Sequence, residues 1–211
     1  MPEPPTTRQV VAAFDVDGTL TRSDCVRPFL WRAAGLRVPL ALARHPVTVA
    51  RALARRDRDG LKEVVCSALR GLDAAALDRL GIEFCRAYIS QRLRDDTTAR
   101  LRRHRELGHT VILASASLEP YVMPLGRQLG VDDVVCTRLE HGADGRLTGR
   151  LRGANCRGPE KARRVAEWLG GAGLGGAQLW AYGDSASDDE FLAAADHPVR
   201  VDGVRLRPEP G

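Results

Sequence analysis

The stretch Val10-Val11-Ala12-Ala13-Phe14-Asp15-Val16-Asp17-Gly18-Thr19 decides the fold. Five apolar residues in a row, closed by an aspartate, predict a short, fully buried strand. Two carboxylates one residue apart at a strand end can face a common pocket, and a cation between them relieves their repulsion. Gly18 lets the chain turn sharply with its backbone close to a ligand. A capping aspartate and a plain turn would explain one carboxylate and the glycine, but not the second carboxylate.

Outward from this stretch the same kind of run recurs. Thr110-Val111-Ile112-Leu113-Ala114 and Gln178-Leu179-Trp180-Ala181-Tyr182 read as buried strands, with a shorter one around Val134-Val135-Cys136. Helices are predicted near 97–107, stopping at Gly108, over 119–129, stopping at Gly130, and from Pro159 to Leu169. Arg146–Arg152, preceded by Asp144-Gly145, reads as a hairpin arm. Strands alternating with helices predict an α/β fold with a Rossmann-like parallel sheet and helices on both faces. Residues 24–95 form the exception. They are rich in Ala, Leu and Arg and nearly free of strand-like runs, and Pro39, Pro46, Gly60, Gly71 and Gly81 divide them into several helices. The expected division is a core of residues 8–23 and 96–211, with a helical unit of residues 24–95 between the two parts.

In a parallel sheet the ligand sits beyond the carboxyl ends of the strands. Asp15, Ser115 and Asp184 each follow a buried run directly. Ser115, in Ala114-Ser115-Ala116-Ser117, offers a small hydroxyl and free backbone N–H groups to phosphate oxygens. Ser117, just before Leu118-Glu119-Pro120, reads as a helix N-cap. Lys161 stands near a predicted helix start, where the dipole gives a cation nothing. Neutralising a phosphate or Asp15 would be a reason for its presence. It is one of two lysines, with Lys62, among 32 basic residues, and a retained lysine suits a site wanting a compact point charge. In Gly183-Asp184-Ser185-Ala186-Ser187-Asp188-Asp189, Asp184 and Asp188 could bind a hard cation. An acidic helix start is the alternative reading there.

Composition narrows the classes. The chain has 211 residues, 44% hydrophobic and 28% charged, enough for one core and a modest accessory unit. The start Met1–Thr7 has no basic and apolar leader pattern, and no apolar run is long enough to span a bilayer. The segment from Leu36 to Ala54 is broken by Arg37, Arg44, His45, Pro46 and Arg51. Five scattered cysteines without a CxxC pair argue against a disulfide framework and a zinc site, so a reduced cytoplasm is expected. The net charge of +5 is concentrated: residues 26–72 carry +7 and the rest −2. That window could face an anionic substrate, an acidic membrane surface or nucleic acid. The last is disfavoured by an aromatic content of 5% with no interleaved stacking platform.

The four motifs together resemble the haloacid dehalogenase-like hydrolase superfamily: DVDGT at Asp15–Thr19, the serine after the second strand, a lysine at a helix start, and GDSxxxD at Gly183–Asp188. The helical unit resembles the C1-type cap of subfamily IB, which holds the phosphoserine phosphatases. ASASLEPYV, GRLTGRL and NCRGPEK resemble a group that includes the C-type phosphatidylglycerophosphate phosphatases. The resemblance implies an Mg²⁺-dependent phosphomonoester hydrolase. Asp15 would be the nucleophile and form an aspartyl-phosphate. Asp17 would be general acid and base. Mg²⁺ would be held by Asp15, the backbone carbonyl of Asp17, Asp184 and Asp188. Ser115 and Lys161 would grip the phosphate together with Gly18, Thr19 and Ala116, and Arg157 is a second candidate for the cation. Asp24, Lys62 and Arg56 are the implied specificity residues of the cap, with Arg27, Arg51 and Arg55 as further candidates. The substrate expected is a small-molecule or lipid phosphate ester. A phospholipid head group with peripheral membrane contact is one reading and phosphoserine another. A catalytically silent phosphate-binding module is the reading from a different class.

Overall fold

The computed structural model describes residues 9–202 and Leu206. The expected core edges at 8 and 211, and the Met1–Thr7 start, lie outside the described residues. Five strands form one parallel sheet in the order β3-β2-β1-β6-β7. They are β1 (Val10–Phe14), β2 (Thr110–Leu118), β3 (Asp133–Thr137), β6 (Gln178–Gly183) and β7 (His197–Arg200). A separate antiparallel hairpin joins β4 (Leu139–His141) to β5 (Leu147–Leu151). This α/β architecture is the one the alternating pattern predicts.

β1 is central, paired with β2 on one side and β6 on the other. Its alternate side chains enter different cores. Ala12 and Phe14 join Val111, Leu113, Trp180 and Tyr182 on one face of the sheet. Val11 and Ala13 join Ile112, Ala114, Leu179 and Ala181 on the other. Burial on both faces is why these strands read as unbroken apolar runs instead of alternating ones. Phe14 stacks on Tyr182 with ring centroids 4.1 Å apart. Fully burying a side chain of this size contributes about 1.5–3 kcal/mol. Two helices, α8 (Pro159–Gly171) and α9 (Asp189–Ala193), send Val165, Phe191 and Leu192 into the second core. On the opposite face, α6 (Asp95–Glu106) and α7 (Glu119–Leu129) contribute Leu101, Tyr121, Val122 and Leu125.

Between β1 and α6 the chain is helical, with α1 (Val26–Ala34), α2 (Arg37–Arg44), α3 (Pro46–Arg55), α4 (Arg58–Cys66) and α5 (Ala74–Phe84). Short 3₁₀ and π turns complete the stretch to Arg92. The expected breaks need correction. Pro46 opens α3 and Gly71 lies between helices, but Pro39, Gly60 and Gly81 sit inside α2, α4 and α5. Pro39 is in the first turn of α2, where a missing N–H costs no intrahelical bond. Gly81 serves close packing: a Cβ there would lie 1.9 Å from the Pro120 carbonyl oxygen of α7. β2 also runs four residues beyond the predicted Ala114, with an irregular register between Ser115 and Leu118. β7 carries only four residues, two of them exposed, too little apolar patterning to announce a strand.

Candidate active site

The carboxyl ends of β1, β2 and β6 meet at one place. Asp15 continues β1 by donating its N–H to the Tyr182 carbonyl at 2.9 Å, which fixes its backbone. The residue is 6% exposed. Lys161, on the first turn of α8 and 2% exposed, reaches it across the fold. The ammonium lies 2.7 Å from Asp15 Oδ1 and 2.6 Å from Asp188 Oδ1. Burial pushes Asp15 up to about 7, and the neighbouring Lys161 opposes that rise. The paired carboxylates outweigh burial at Lys161 and hold its ammonium above the usual lysine range. Of the two cations considered for this place, Lys161 is the one in contact with Asp15.

Asp188 has a second set of partners. Its Oδ2 accepts from the Ser185 N–H at 3.2 Å and the Ser185 hydroxyl at 3.1 Å, closing a capping box on the turn Ala186–Asp188. Asp184 directly follows β6 and accepts from the Thr19 hydroxyl at 3.2 Å. Burial, then the nearby Asp188, raises its pKa. Gly18 makes this approach possible. Its φ is +86°, and a Cβ there would sit 2.2 Å from Asp184 Oδ2. One oxygen each from Asp15, Asp184 and Asp188 lies within 4.8 Å of the others. Three hard oxygen donors around a cradle that only glycine can line fit a divalent cation such as Mg²⁺. The charge balance agrees: among the described residues Lys161 is the one cation bonded to this trio of carboxylates, and uncompensated buried charge costs several kcal/mol per ion.

Asp17 stands apart from that triad. Its Oδ1 accepts from the Cys25 N–H at 3.0 Å and its Oδ2 from the Ser117 hydroxyl. Burial lifts it to about 6, although the Ser117 hydrogen bond pulls the other way. Ser117 is therefore no helix cap. Leu118 occupies the N-cap of α7 without a side-chain bond. The extra residues of β2 carry Ser117 to Asp17 instead. Ser115 is buried, and its Oγ accepts from the Ser117 N–H at 3.1 Å.

Lys62, on α4, also arrives here. It donates to the Ala116 carbonyl and, at 2.8 Å, to Asn155 Oδ1. Asn155 in turn accepts from Thr137 Oγ1 at 2.7 Å and donates to Asp59 of α4 at 2.7 Å. Burial lowers the Lys62 pKa. Both lysines of the chain thus lie at the same end of the sheet. Ser117 and Asn155 were missed from sequence. Thr137 ends a strand and could have pointed to Asn155, whereas nothing separates Ser117 from an ordinary N-cap. The remaining sequence candidates lie elsewhere. Asp24 is exposed, and its carboxylate accepts the Val26 and Arg27 N–H groups at the start of α1. Arg27, Arg51, Arg55 and Arg56 are exposed on α1, on α3 and just after it, and none bonds a site residue. Thr19 spends its hydroxyl on Asp184 and is not free to point it at a phosphate.

The sequence pattern of the haloacid dehalogenase-like hydrolases matches residues 12–193. The Caulobacter vibrioides protein CicA is 36% identical over 189 residues, covering 89% of this chain and 83% of that protein. A Streptomyces coelicolor phosphoserine phosphatase is 30% identical over 187 residues, covering 89% of this chain but 42% of the longer enzyme. A crystal structure of a Bordetella pertussis protein of unknown function superposes with a TM-score of 0.69 at 27% identity, covering 90% of this chain and 88% of that one. Phosphatases are among its relatives, and the chain belongs to the haloacid dehalogenase-like hydrolase family.

Proposed function

We propose that this chain hydrolyses a phosphate monoester with Mg²⁺, through a phosphoryl group carried on Asp15. The observation that carries the proposal is Asp15 itself: buried at a strand end, held by Lys161 through Oδ1, with three hard-ligand carboxylates at one point. Asp15, Asp184 and Asp188 would hold the ion, with the Asp17 backbone carbonyl as a further ligand. When bound, the cation neutralises charge on the transferring phosphoryl group and on Asp15.

The chain's own residues supply the rest. Lys161 takes one Asp15 oxygen, leaving Oδ2 to attack phosphorus as the bond to the ester oxygen breaks. Asp17 gives that oxygen its proton, and then, as the carboxylate, takes a proton from water. The water oxygen attacks phosphorus, the bond to Asp15 breaks, and inorganic phosphate leaves. Two fixed donors, Cys25 N–H and Ser117 Oγ, hold Asp17 in place for both transfers. Ser115 and the backbone around Ala116 are the proposed phosphate grip with Lys161.

Residues 24–95 are the proposed cap, reaching the site through Lys62. A substrate with an anionic group beside its phosphate, small metabolite or lipid head group, matches a buried ammonium there. Phosphoserine is the second reading, supported by the similarity to phosphoserine phosphatases. The test is phosphate release from a panel of soluble and lipid phosphomonoesters with and without Mg²⁺. Intact-mass analysis of the quenched enzyme is expected to show one phosphoryl group, mapped to Asp15. A folded, Mg²⁺-loaded protein that turns over no ester would leave the silent binding module in its place.

A further inference from the structure

The five large apolar side chains that stand exposed among the described residues all fall between Trp31 and Leu53. They are Trp31, Leu36, Leu40, Val47 and Leu53, with fractional exposure from 47% at Leu40 to 78% at Leu36. Trp31 is the one exposed aromatic among Phe, Tyr and Trp in the described residues. From Val26 to Arg56 the same helices carry seven arginines and no acidic residue. All seven are exposed, and none has a carboxylate partner among the described residues. Elsewhere on the surface, Arg150, Arg163 and Arg200 are each ion-paired.

We infer that α1, α2 and α3 form a docking surface for an anionic phospholipid bilayer. Exposed apolar side chains among uncompensated cations are the pair of features such a surface selects. The apolar groups enter the head-group and acyl boundary, and the arginines meet lipid phosphates. Tryptophan is the side chain most at home in that boundary. A cleft of about 380 Å³, lined by Arg37, Leu40, Arg44, His45 and Arg70 among others, offers a niche beside the apolar groups for one anionic head group. Nucleic acid matches the charge but has no use for five exposed apolar side chains, and one aromatic is no stacking platform. None of these helices is long and apolar enough to cross a bilayer, so the contact is peripheral. The inference rests on the surface of α1–α3 and not on which ester is hydrolysed.

The experiment mixes the full chain with vesicles of phosphatidylcholine alone, or of phosphatidylcholine with phosphatidylglycerol, at physiological salt. Co-sedimentation with the anionic vesicles and a blue shift of tryptophan emission are expected, with neither on phosphatidylcholine alone. Trp31→Phe should remove most of that shift while retaining binding. Trp31→Ser with Leu40→Ser should weaken partitioning by about tenfold while phosphate release from a soluble ester stays unchanged. Failure to sediment with anionic vesicles overturns the inference. So does sedimentation that the double serine variant leaves unaltered, or a solution dimer or RNA complex that shields Trp31 in place of lipid. A protein that binds vesicles normally but releases no phosphate from any ester would sink the proposed function and leave the docking surface standing.

Discussion

Charge is handled in opposite ways at two regions of this chain. At the carboxyl edge of the sheet, Asp15, Asp17, Asp188 and Lys161 are held by named partners at hydrogen-bond distance. On α1–α3 and at Arg56 just after them, seven arginines stand in solvent with no carboxylate partner among the described residues. A buried charge must be paired or it costs several kcal/mol, so the edge of the sheet has little freedom to vary. An exposed arginine costs almost nothing to leave unpaired, so its arrangement reports what the surface meets and not what the fold requires. Substitutions at the edge should therefore change catalysis or stability sharply, and those on α1–α3 should change neither.

The largest separation should come from Asp15→Asn. It keeps shape and hydrogen bonding but removes the nucleophile, and phosphate release is expected to fall by roughly a thousandfold or more. The melting temperature and vesicle sedimentation should stay near wild type. Residual turnover within tenfold of wild type would break the assignment of Asp15. Gly18→Ala comes next. It forces a side chain into a left-handed backbone 2.2 Å from Asp184 Oδ2. Displacing that carboxylate should weaken Mg²⁺ dependence by on the order of tenfold to a hundredfold, measured as the Mg²⁺ concentration giving half-maximal activity.

The close approach of α5 to α7 gives a third test. A Cβ at Gly81 would lie 1.9 Å from the Pro120 carbonyl, so Gly81→Ala must push the two helices apart. An overpacking cost of about 1–3 kcal/mol is expected in denaturant melts. An unchanged midpoint would mean that this contact yields freely and does not hold the helical stretch on the sheet. Smaller again is Ser117→Ala, which strips one of two donors from Asp17. A loss of about tenfold in kcat is expected, as for one hydrogen bond to a charged group, with partial rescue by Ser117→Thr. Equal activity would show that the Cys25 N–H suffices to orient Asp17.

How far the sequence revealed these regions follows from the same physics. β1, β2 and β6 are buried on both faces, which writes them as unbroken apolar runs, and polar residues after such runs stand out. Asp15, Ser115 and Asp184 were legible for that reason. Lys161 was legible through rarity, and so, more faintly, was Lys62. Ser117 was not, because a serine before Leu-Glu-Pro looks the same whether the strand stops at Ala114 or continues to Leu118. Gly60 and Gly81 misled because glycine punctuates a helix and also permits close contact, and only the neighbour decides which. The arginines of residues 26–56 were visible as charge. Their exposure beside Trp31 and Leu40 depends on how α1–α3 pack, which composition does not encode.

The smallest effect concerns pH and the helix α6 that packs against the sheet. His104 is fully buried, with Nε2 2.7 Å from Tyr182 Oη and Nδ1 2.8 Å from His109 Nδ1. Burial, with the charges of His109 and Arg100 adding to it, lowers His104 to about 3. The fold therefore holds it neutral, while the unfolded chain takes up a proton near the ordinary 6.5. The stability it contributes is complete above that value and is lost progressively as pH falls towards 3. Asp17, raised to about 6, works in the opposite sense, since its contribution fades as pH rises through that value. A single slope would mix the two, so the measurement is a difference between proteins. Urea midpoints of wild type and His104→Gln at pH 7 and pH 5 should show the wild type losing more stability on acidification than the variant. A variant with the same pH dependence as wild type would show that His104 opens to solvent before it is protonated.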